Sequence, residues 1–185
     1  LSLSGAAKFL SKRGVIRDQL GAKGAMAAIG MNQADVEAIL PTHGKLGIAA
    51  INGPGSTTIS GDYDALHEFV EEFEMLNPDT FIRALTVDTA WHSYHLDAGE
   101  GWFRREMATI DWSVPTLPFI STVTGRPETK FDTDYGWLNL RRPVRYQAAI
   151  ETAIDMGANL FLELGPAATL AGPTKSTALE AGASG

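Results

Sequence analysis

An alternation of strand-like and helix-like segments between residues 24 and 87 constrains the fold more than any other feature. Four short apolar or alternating segments predict strands, at 25–31, 46–51, 56–60 and 80–87. Residues 33–40 and 62–75 carry apolar side chains at helical spacing. Asn52-Gly53-Pro54-Gly55 is typical of a hairpin turn. The order β-α-β-β-α-β over 24–87 predicts a ferredoxin-like subdomain.

The segments on either side predict a larger α/β layer. Apolar spacing predicts helices over 4–20, 92–107 and 144–156, and near-continuous apolar runs predict strands over 117–123 and 159–164. Such strands, alternating with helices, are typical of a parallel sheet. We therefore assign residues 1–23 and 88–185 to one large α/β subdomain whose first part is absent from this chain. The 24–87 unit is inserted into it or appended to it.

Charge and composition exclude several classes of function. The 185 residues carry a formal net charge of −7, whereas a nucleic-acid-binding surface needs clustered lysine and arginine. The absence of cysteine removes disulfides, thiol nucleophiles and thiolate metal sites, and it suits a reducing cytoplasm. No apolar run approaches the roughly 20 residues that cross a bilayer. We expect a cytoplasmic protein whose partners include neither nucleic acid nor a membrane.

His92 is the first candidate for chemistry because it follows a strand. In α/β proteins, sites collect at the carboxyl ends of strands. His95 would share a helical face with His92, so a metal site with nearby carboxylates is an open alternative. The Gly-x-Ser-x-Gly elbow that usually supplies a serine nucleophile is absent, and Ser56 fits a hairpin turn better. A base alone cannot perform acyl transfer.

Arg13 is the second candidate. Its fork of donors suits a planar carboxylate, and the neighbouring Gly14 leaves room for a ligand to approach. A solvated arginine in the basic pair Lys12-Arg13 is the plainer alternative. The residues by themselves leave both interpretations open.

Eight short blocks stand in order along nearly the whole chain. They are Arg13-Gly14-Val15-Ile16, Gly24-Ala25-Met26, Asn52-Gly53-Pro54, Ser60-Gly61-Asp62, Val87-Asp88-Thr89-Ala90-Trp91-His92-Ser93, Ser121-Thr122-Val123-Thr124-Gly125, Asn139-Leu140-Arg141-Arg142-Pro143-Val144 and Glu163-Leu164-Gly165-Pro166. Together they resemble the acyltransferase domain of type I polyketide synthases. That family includes malonyl-CoA:acyl-carrier-protein transacylases and a domain of animal fatty acid synthase.

The resemblance implies a fold and a reaction. The family fold is an α/β-hydrolase-like large subdomain with an inserted ferredoxin-like small subdomain, which agrees with the pattern above. A serine in a Gly-His-Ser-x-Gly elbow takes a malonyl group from coenzyme A. It then passes the group to the phosphopantetheine thiol of an acyl carrier protein. Acyl-CoA is thus the substrate and the carrier's phosphopantetheine the acceptor, and no tightly bound cofactor is implied.

The resemblance also implies roles for single residues. His92 matches the general base that serves the serine and then the incoming thiol. The family orients this histidine through a backbone carbonyl at the position that matches Asn139, so no carboxylate is needed for a triad. Arg13 matches the arginine that pairs with the free carboxylate of malonyl, which favours a dicarboxylic acyl unit over acetyl.

The residues before His92 match the motif that selects the extender unit. The family motif is commonly Tyr-Ala-Ser-His for methylmalonyl and His-Ala-Phe-His for malonyl. Here it is Thr89-Ala90-Trp91-His92, which is neither. The bulk of Trp91 favours malonyl, although one methyl group is worth only about 1–3 kcal/mol of discrimination in such a pocket.

Two departures from the family pattern remain. Gly165-Pro166-Ala167 stands where the family has Gly-Pro-His, which we interpret as a structural change. The family's N-terminal segment, with its serine elbow and oxyanion-hole glutamine, is absent. We therefore expect the chain to be inactive alone and to need that segment and neighbouring synthase domains as partners. The alternative is a non-catalytic module that docks carrier protein or neighbouring synthase domains.

Overall fold

The computed structural model describes residues 1–20, 23–42 and 44–182. It begins with helix α1 (Leu3–Val15), where the side chain of Ser2 caps the first turn by accepting from the N–H of Gly5. The chain then tightens into a 3₁₀ helix over Ile16–Gln19. The predicted helix over 4–20 is therefore present, in two parts.

Six elements follow in the predicted order. They are β1 (Gly24–Ile29), α2 (Gln33–Ile39), β2 (Leu46–Gly53), β3 (Ser56–Asp62), α3 (Tyr63–Leu76) and β4 (Ile82–Ala84). Asn32 caps α2 through its side-chain oxygen. The first three strands are longer than, or close to, their predicted ranges, whereas β4 is shorter than predicted. It ends at Ala84, although the N–H of Leu85 still donates to the carbonyl of Met26 in β1 at 2.8 Å.

These four strands form one antiparallel sheet in the order β4-β1-β3-β2. Helices α2 and α3 pack on the strands and close an apolar core. Its buried members are Ala25, Ala27, Ile29, Val36, Leu46, Ile59, Leu66, Val70, Phe73 and Ile82. Leu66, Val70 and Phe73 lie on one face of α3, and this spacing is the pattern that predicts a helix in that segment.

Most of the longer elements in the rest of the chain are helices. After a 3₁₀ helix over Tyr94–Gly99 come α4 (Glu100–Met107), β5 (Ile120–Ser121), β6 (Arg126–Pro127), α5 (Thr133–Arg141), β7 (Val144–Arg145), α6 (Tyr146–Asp155) and α7 (Ala171–Glu180). A second core joins the end of α1 to α4 and α5 through Ile16, Phe103, Met107, Trp137 and Leu140. Strand β7 adds to the first sheet, parallel to β2.

The predicted parallel sheet does not form among the described residues. Residues 117–123 contribute only the two-residue strand β5, paired with β6, and residues 159–164 form no strand. Leu160, Leu162 and Leu164 are 80–87% exposed. An extended apolar segment needs a neighbouring strand to bond its backbone, and none is present here. Helices α5 and α7 were not predicted.

Within the described part of the chain, no helix combines the length and apolar character of a membrane span.

Gly61 on β3 tests the packing of the four-stranded sheet. A Cβ added there would lie 1.9 Å from the carbonyl oxygen of Lys45 and 2.9 Å from the side chain of Leu46. Because backbone cannot move aside cheaply, we expect Gly61→Ala to lower the free energy of unfolding by about 1–3 kcal/mol, measured by urea denaturation.

Gly47 on β2 provides the matched control, because a Cβ added there meets no atom within 4 Å. Gly47→Ala is expected to change the free energy of unfolding by no more than about 0.5 kcal/mol. Equal losses in the two variants would contradict this account of the sheet.

Candidate functional site

His92 lies in a tight turn after the chain leaves β4. Its φ angle of 59° is in the left-handed region, which costs a side-chain-bearing residue about 1–2 kcal/mol. The buried hydroxyl of Ser93 holds the turn, donating to the carbonyl of Ala90 at 2.6 Å and accepting from the N–H of His95 at 3.2 Å. His92 is therefore not helical, so the predicted helix over 92–107 begins later.

The ring of His92 is oriented by a backbone carbonyl. Its Nδ1 lies 2.8 Å from the carbonyl oxygen of Arg142, and because a carbonyl only accepts, Nδ1 is the donor. The prediction that Asn139 supplies this carbonyl is wrong. Asn139 lies inside α5, where carbonyls point along the helix axis, whereas Arg142 follows the helix in extended conformation (ψ 155°) and turns its carbonyl outward.

The surroundings of His92 favour its neutral form. Burial lowers its pKa most, the hydrogen bond to the Arg142 carbonyl raises it, and the positive charge of Arg13 lowers it again. The net result is a pKa below the ordinary value for histidine. With the proton on Nδ1, the lone pair of Nε2 has no hydrogen-bond partner among the described residues.

Arg13 reaches the same place from the end of α1. Its Nη1 donates to the side-chain oxygen of Asn139 at 3.1 Å, and its guanidinium lies 5.7 Å from the ring centre of Phe9. Burial lowers the pKa of Arg13, which remains charged as arginine does. Among the residues that the structure describes, no carboxylate pairs with it.

An ion pair fixes the end of α5 beside these groups. Arg141 bonds Asp97 through two nitrogens, with Nε 2.5 Å from Oδ1 and Nη2 3.3 Å from Oδ2. Asp97 belongs to the 3₁₀ helix that follows His92. Because Asn139, Arg141 and Arg142 occupy one turn, this pair holds both the carbonyl that contacts His92 and the amide that contacts Arg13.

The residues before His92 differ in their access to a ligand. Thr89 and Ala90 are only 4% and 1% exposed, so their side chains belong to the interior. Ala90 packs so closely on the start of β1 that a Cβ on Gly24 would lie 2.4 Å from its nitrogen. Trp91 is partly buried and packs against the second core. Of the four motif positions, only Trp91 and His92 therefore keep side chains accessible to solvent.

His95 pairs with Asp62, away from the ring of His92. Its ring is buried, and Nε2 lies 2.7 Å from Asp62 at the end of β3. The hydroxyl of Tyr94 also donates to Asp62, and these two hydrogen bonds hold the pKa of that carboxyl below its usual value. This cluster borders a cavity of about 720 Å³.

The metal alternative is not supported by this arrangement. Because His92 precedes the helical segment, the two histidines do not share a helical face. No group of three or more metal-binding side chains occurs within 1–20, 23–42 and 44–182.

The structure thus brings His92, Arg13 and Asn139 together at the end of α5. Sequence reasoning missed Arg142, whose carbonyl carries no side-chain signal. Pro143 was the available hint, because a residue before proline favours extended backbone and a helix usually ends there. The arrangement offers a neutral base beside a cation that has no carboxylate partner within the described part of the chain, which suits proton transfer next to an anionic substrate group.

Comparisons with known proteins identify the family of this chain. Residues 1–183 match a family model described as the acyl transferase domain. The chain is 36% identical over 169 residues to the highly reducing polyketide synthase gloL of Glarea lozoyensis, covering 88% of this chain and 7% of that protein. It is 34% identical over 175 residues to the polyketide synthase GfsB of Streptomyces halstedii, covering 92% of this chain and 3% of that protein.

Solved structures give the same result. The acyltransferase domain from module 8 of the salinomycin polyketide synthase superposes with a TM-score of 0.91 at 31% identity, covering 98% of this chain and 43% of that one. A malonyl CoA-acyl carrier protein transacylase from Clostridium perfringens shares the fold, with a TM-score of 0.86 at 23% identity, covering 96% of this chain and 58% of that one. The chain belongs to the acyl transferase domain family, and its relatives are polyketide synthases.

Proposed function

We propose that this chain contributes the general base and the carboxylate-binding arginine to malonyl transfer. The donor is malonyl-coenzyme A and the acceptor is the phosphopantetheine thiol of an acyl carrier protein. One observation carries the proposal: a neutral histidine and a cationic arginine are bonded to the same turn of α5. Within residues 1–20, 23–42 and 44–182, Nε2 of the histidine has no hydrogen-bond partner and the arginine has no carboxylate partner.

The histidine serves both halves of the reaction. A serine hydroxyl gives its proton to Nε2 of His92 and attacks the thioester carbon. The C–S bond then breaks, and the coenzyme A sulfur takes that proton. Next the phosphopantetheine thiol gives its proton to Nε2 and attacks the seryl ester, and the serine oxygen leaves and recovers the proton. His92 must be neutral at the start of each half, and its lowered pKa supports this.

The serine comes from residues outside this chain. Among the described residues no hydroxyl is hydrogen-bonded to Nε2 of His92, and the chain covers only 42% and 43% of two solved domains from the salinomycin synthase.

The exposed leucines of residues 159–164 support a sheet that the same outside residues complete. The 24–87 unit is then the ferredoxin-like small subdomain inserted in an α/β-hydrolase-like large subdomain, and the chain alone is inactive.

Arg13 and Trp91 set the substrate. The guanidinium binds the malonyl carboxylate, and an acetyl group would leave that half-buried cation unpaired. Trp91 limits space beside His92, so malonyl is favoured over methylmalonyl. Thr89 and Ala90 act only by supporting the turn, because both are buried.

The partners follow from this chemistry. They are the acyl carrier protein, acyl-CoA, the remainder of the acyltransferase domain and the neighbouring synthase domains. The reaction needs no tightly bound cofactor, because every proton passes through His92. A chain without cysteine suits the cytoplasm, where we place this reaction.

Complementation tests the proposed function. The chain is co-expressed with a polyketide synthase segment that carries a serine elbow, incubated with malonyl-CoA, and analysed by intact-protein mass spectrometry. We expect the elbow serine to gain one malonyl group, and His92→Gln to slow this loading by about 10²–10⁴-fold because the base is lost.

His67→Gln is the control for that experiment, since His67 lies on α3, and both its hydrogen bond and its ring contact are with Tyr63 at the start of the same helix. Its loading rate should match that of the unaltered protein. Transfer by the chain alone, or full loading of His92→Gln, would show that the nucleophile or the base has been assigned wrongly.

The pH dependence of loading tests the state of His92. A protonated imidazole cannot accept a proton, so the rate should fall as pH decreases through the pKa of His92. Because burial and Arg13 lower that pKa, the midpoint is expected below the ordinary histidine value. The measurement is kcat/KM against pH with malonyl-CoA. A midpoint above the ordinary value would contradict the proposed environment.

Arg13→Ala tests the carboxylate site. We expect the ratio of kcat/KM for malonyl-CoA to that for acetyl-CoA to fall at least tenfold, because only malonyl loses an ionic partner. Arg17→Ala removes an exposed arginine that pairs with Asp18 and Asp88, and its ratio should stay within about twofold of the unaltered protein. Equal ratios in both variants would exclude Arg13 from substrate selection.

A further inference from the structure

We infer that Asn139 is a specificity-determining residue, whose side chain aims Arg13 at the substrate carboxylate and supplies a second donor to it. This inference rests on the proposed function and deepens it. The side-chain amide of Asn139 contacts Arg13. The backbone carbonyl that orients His92 belongs to Arg142, so the proposed role of Asn139 lies in its side chain.

The contact with Arg13 fixes the orientation of the amide. A guanidinium only donates, so the atom 3.1 Å from Nη1 must be the oxygen of Asn139. The –NH₂ group of the amide therefore points elsewhere. Within the described part of the chain this group has no hydrogen-bond partner, and Asn139 is only partly buried. A free donor thus stands beside a cation that has no carboxylate.

The neutrality of Asn139 is the important property. A carboxylate at this position would bond Arg13 more strongly, but it would cancel the charge that attracts the substrate. An amide oxygen orients the guanidinium and leaves the charge intact. The ring of Phe9 at 5.7 Å provides a second fixed contact, and the Arg141–Asp97 pair holds the turn that carries Asn139.

The two donors together define a site for one carboxylate. Arg13 has five N–H groups, of which one goes to Asn139, and Nδ2 of Asn139 adds its own. An acetyl group has no oxygen to place there. Loss of the amide should therefore raise KM for malonyl-CoA more than it changes kcat, whereas a residue with a merely structural part would affect both acyl-CoA substrates alike.

Asn139→Asp is the sharpest test, because it keeps the shape, removes the –NH₂ donor and neutralises Arg13. In the complemented protein we expect the malonyl-to-acetyl ratio of kcat/KM to fall at least tenfold. Asn139→Leu adds no charge and tests the coupling: combined with Arg13→Ala, it should lower the ratio by less than it does alone, because much of its effect passes through Arg13. Both kcat/KM values are measured in the same preparation, so a smaller fraction of folded protein lowers both equally and leaves their ratio unchanged.

Two further variants complete the design. Asn139→Leu removes both polar atoms without adding charge, and its ratio should fall severalfold. Asn77→Asp makes the same charge change at an exposed residue that follows α3, outside the site, and its ratio should stay unchanged.

An unchanged ratio in Asn139→Asp, or full additivity of Asn139→Leu with Arg13→Ala, would overturn the inference. If Arg13→Ala leaves the ratio unchanged, the carboxylate site of the proposed function fails as well. If Arg13→Ala lowers it and Asn139→Asp does not, only the inference about Asn139 fails.

Discussion

The site depends on where helix α5 ends. Pro143 cannot donate a backbone hydrogen bond, and the residue before it, Arg142, is extended. The carbonyl of Arg142 is therefore free of the helix and accepts from Nδ1 of His92. One turn earlier, Asn139 meets Arg13. A single helix terminus thus sets the tautomer of the base and the direction of the cation, and the bidentate Arg141–Asp97 pair secures that terminus.

The turn at His92 is held in an unfavourable backbone conformation by contacts of its neighbours. A left-handed backbone at a histidine is unfavourable, and the buried bonds of Ser93 and the close contact between Ala90 and Gly24 offset that cost. Thr89 and Ala90 belong to this support and not to the surface that meets a ligand. In the motif before His92, Thr89 and Ala90 therefore pack in the interior, and only Trp91 remains accessible to a ligand.

The order of strands and helices from β1 to β4 was predicted well, because each of these elements has its own apolar pattern and its partners lie within the same stretch. Residues 159–164 were predicted poorly for the opposite reason. An apolar run indicates that a segment can be a strand, but a strand exists only beside another strand, and the exposed leucines here have none within the described residues. The short strands β5 and β7 reflect the same dependence on neighbours.

For the site, position after a strand singled out His92. The chemistry of Arg13 made it a candidate, and family resemblance implied its role. Side-chain patterns cannot reveal a backbone acceptor, so Arg142 went unpredicted. Asn139 was identified as part of the site, but through its carbonyl, whereas the structure uses its amide. Whether a residue contributes its backbone carbonyl or its side chain to the site depends on where its helix ends. Helix ends are the part of a secondary-structure prediction that is hardest to place from sequence.

The central claim is that the carbonyl of Arg142 holds His92 as a neutral base with its lone pair on Nε2. The most direct measurement is a long-range ¹H–¹⁵N NMR spectrum of His92 near neutral pH. We expect a protonated Nδ1 and an unprotonated Nε2. A spectrum that shows the proton on Nε2, or both nitrogens protonated, would contradict it.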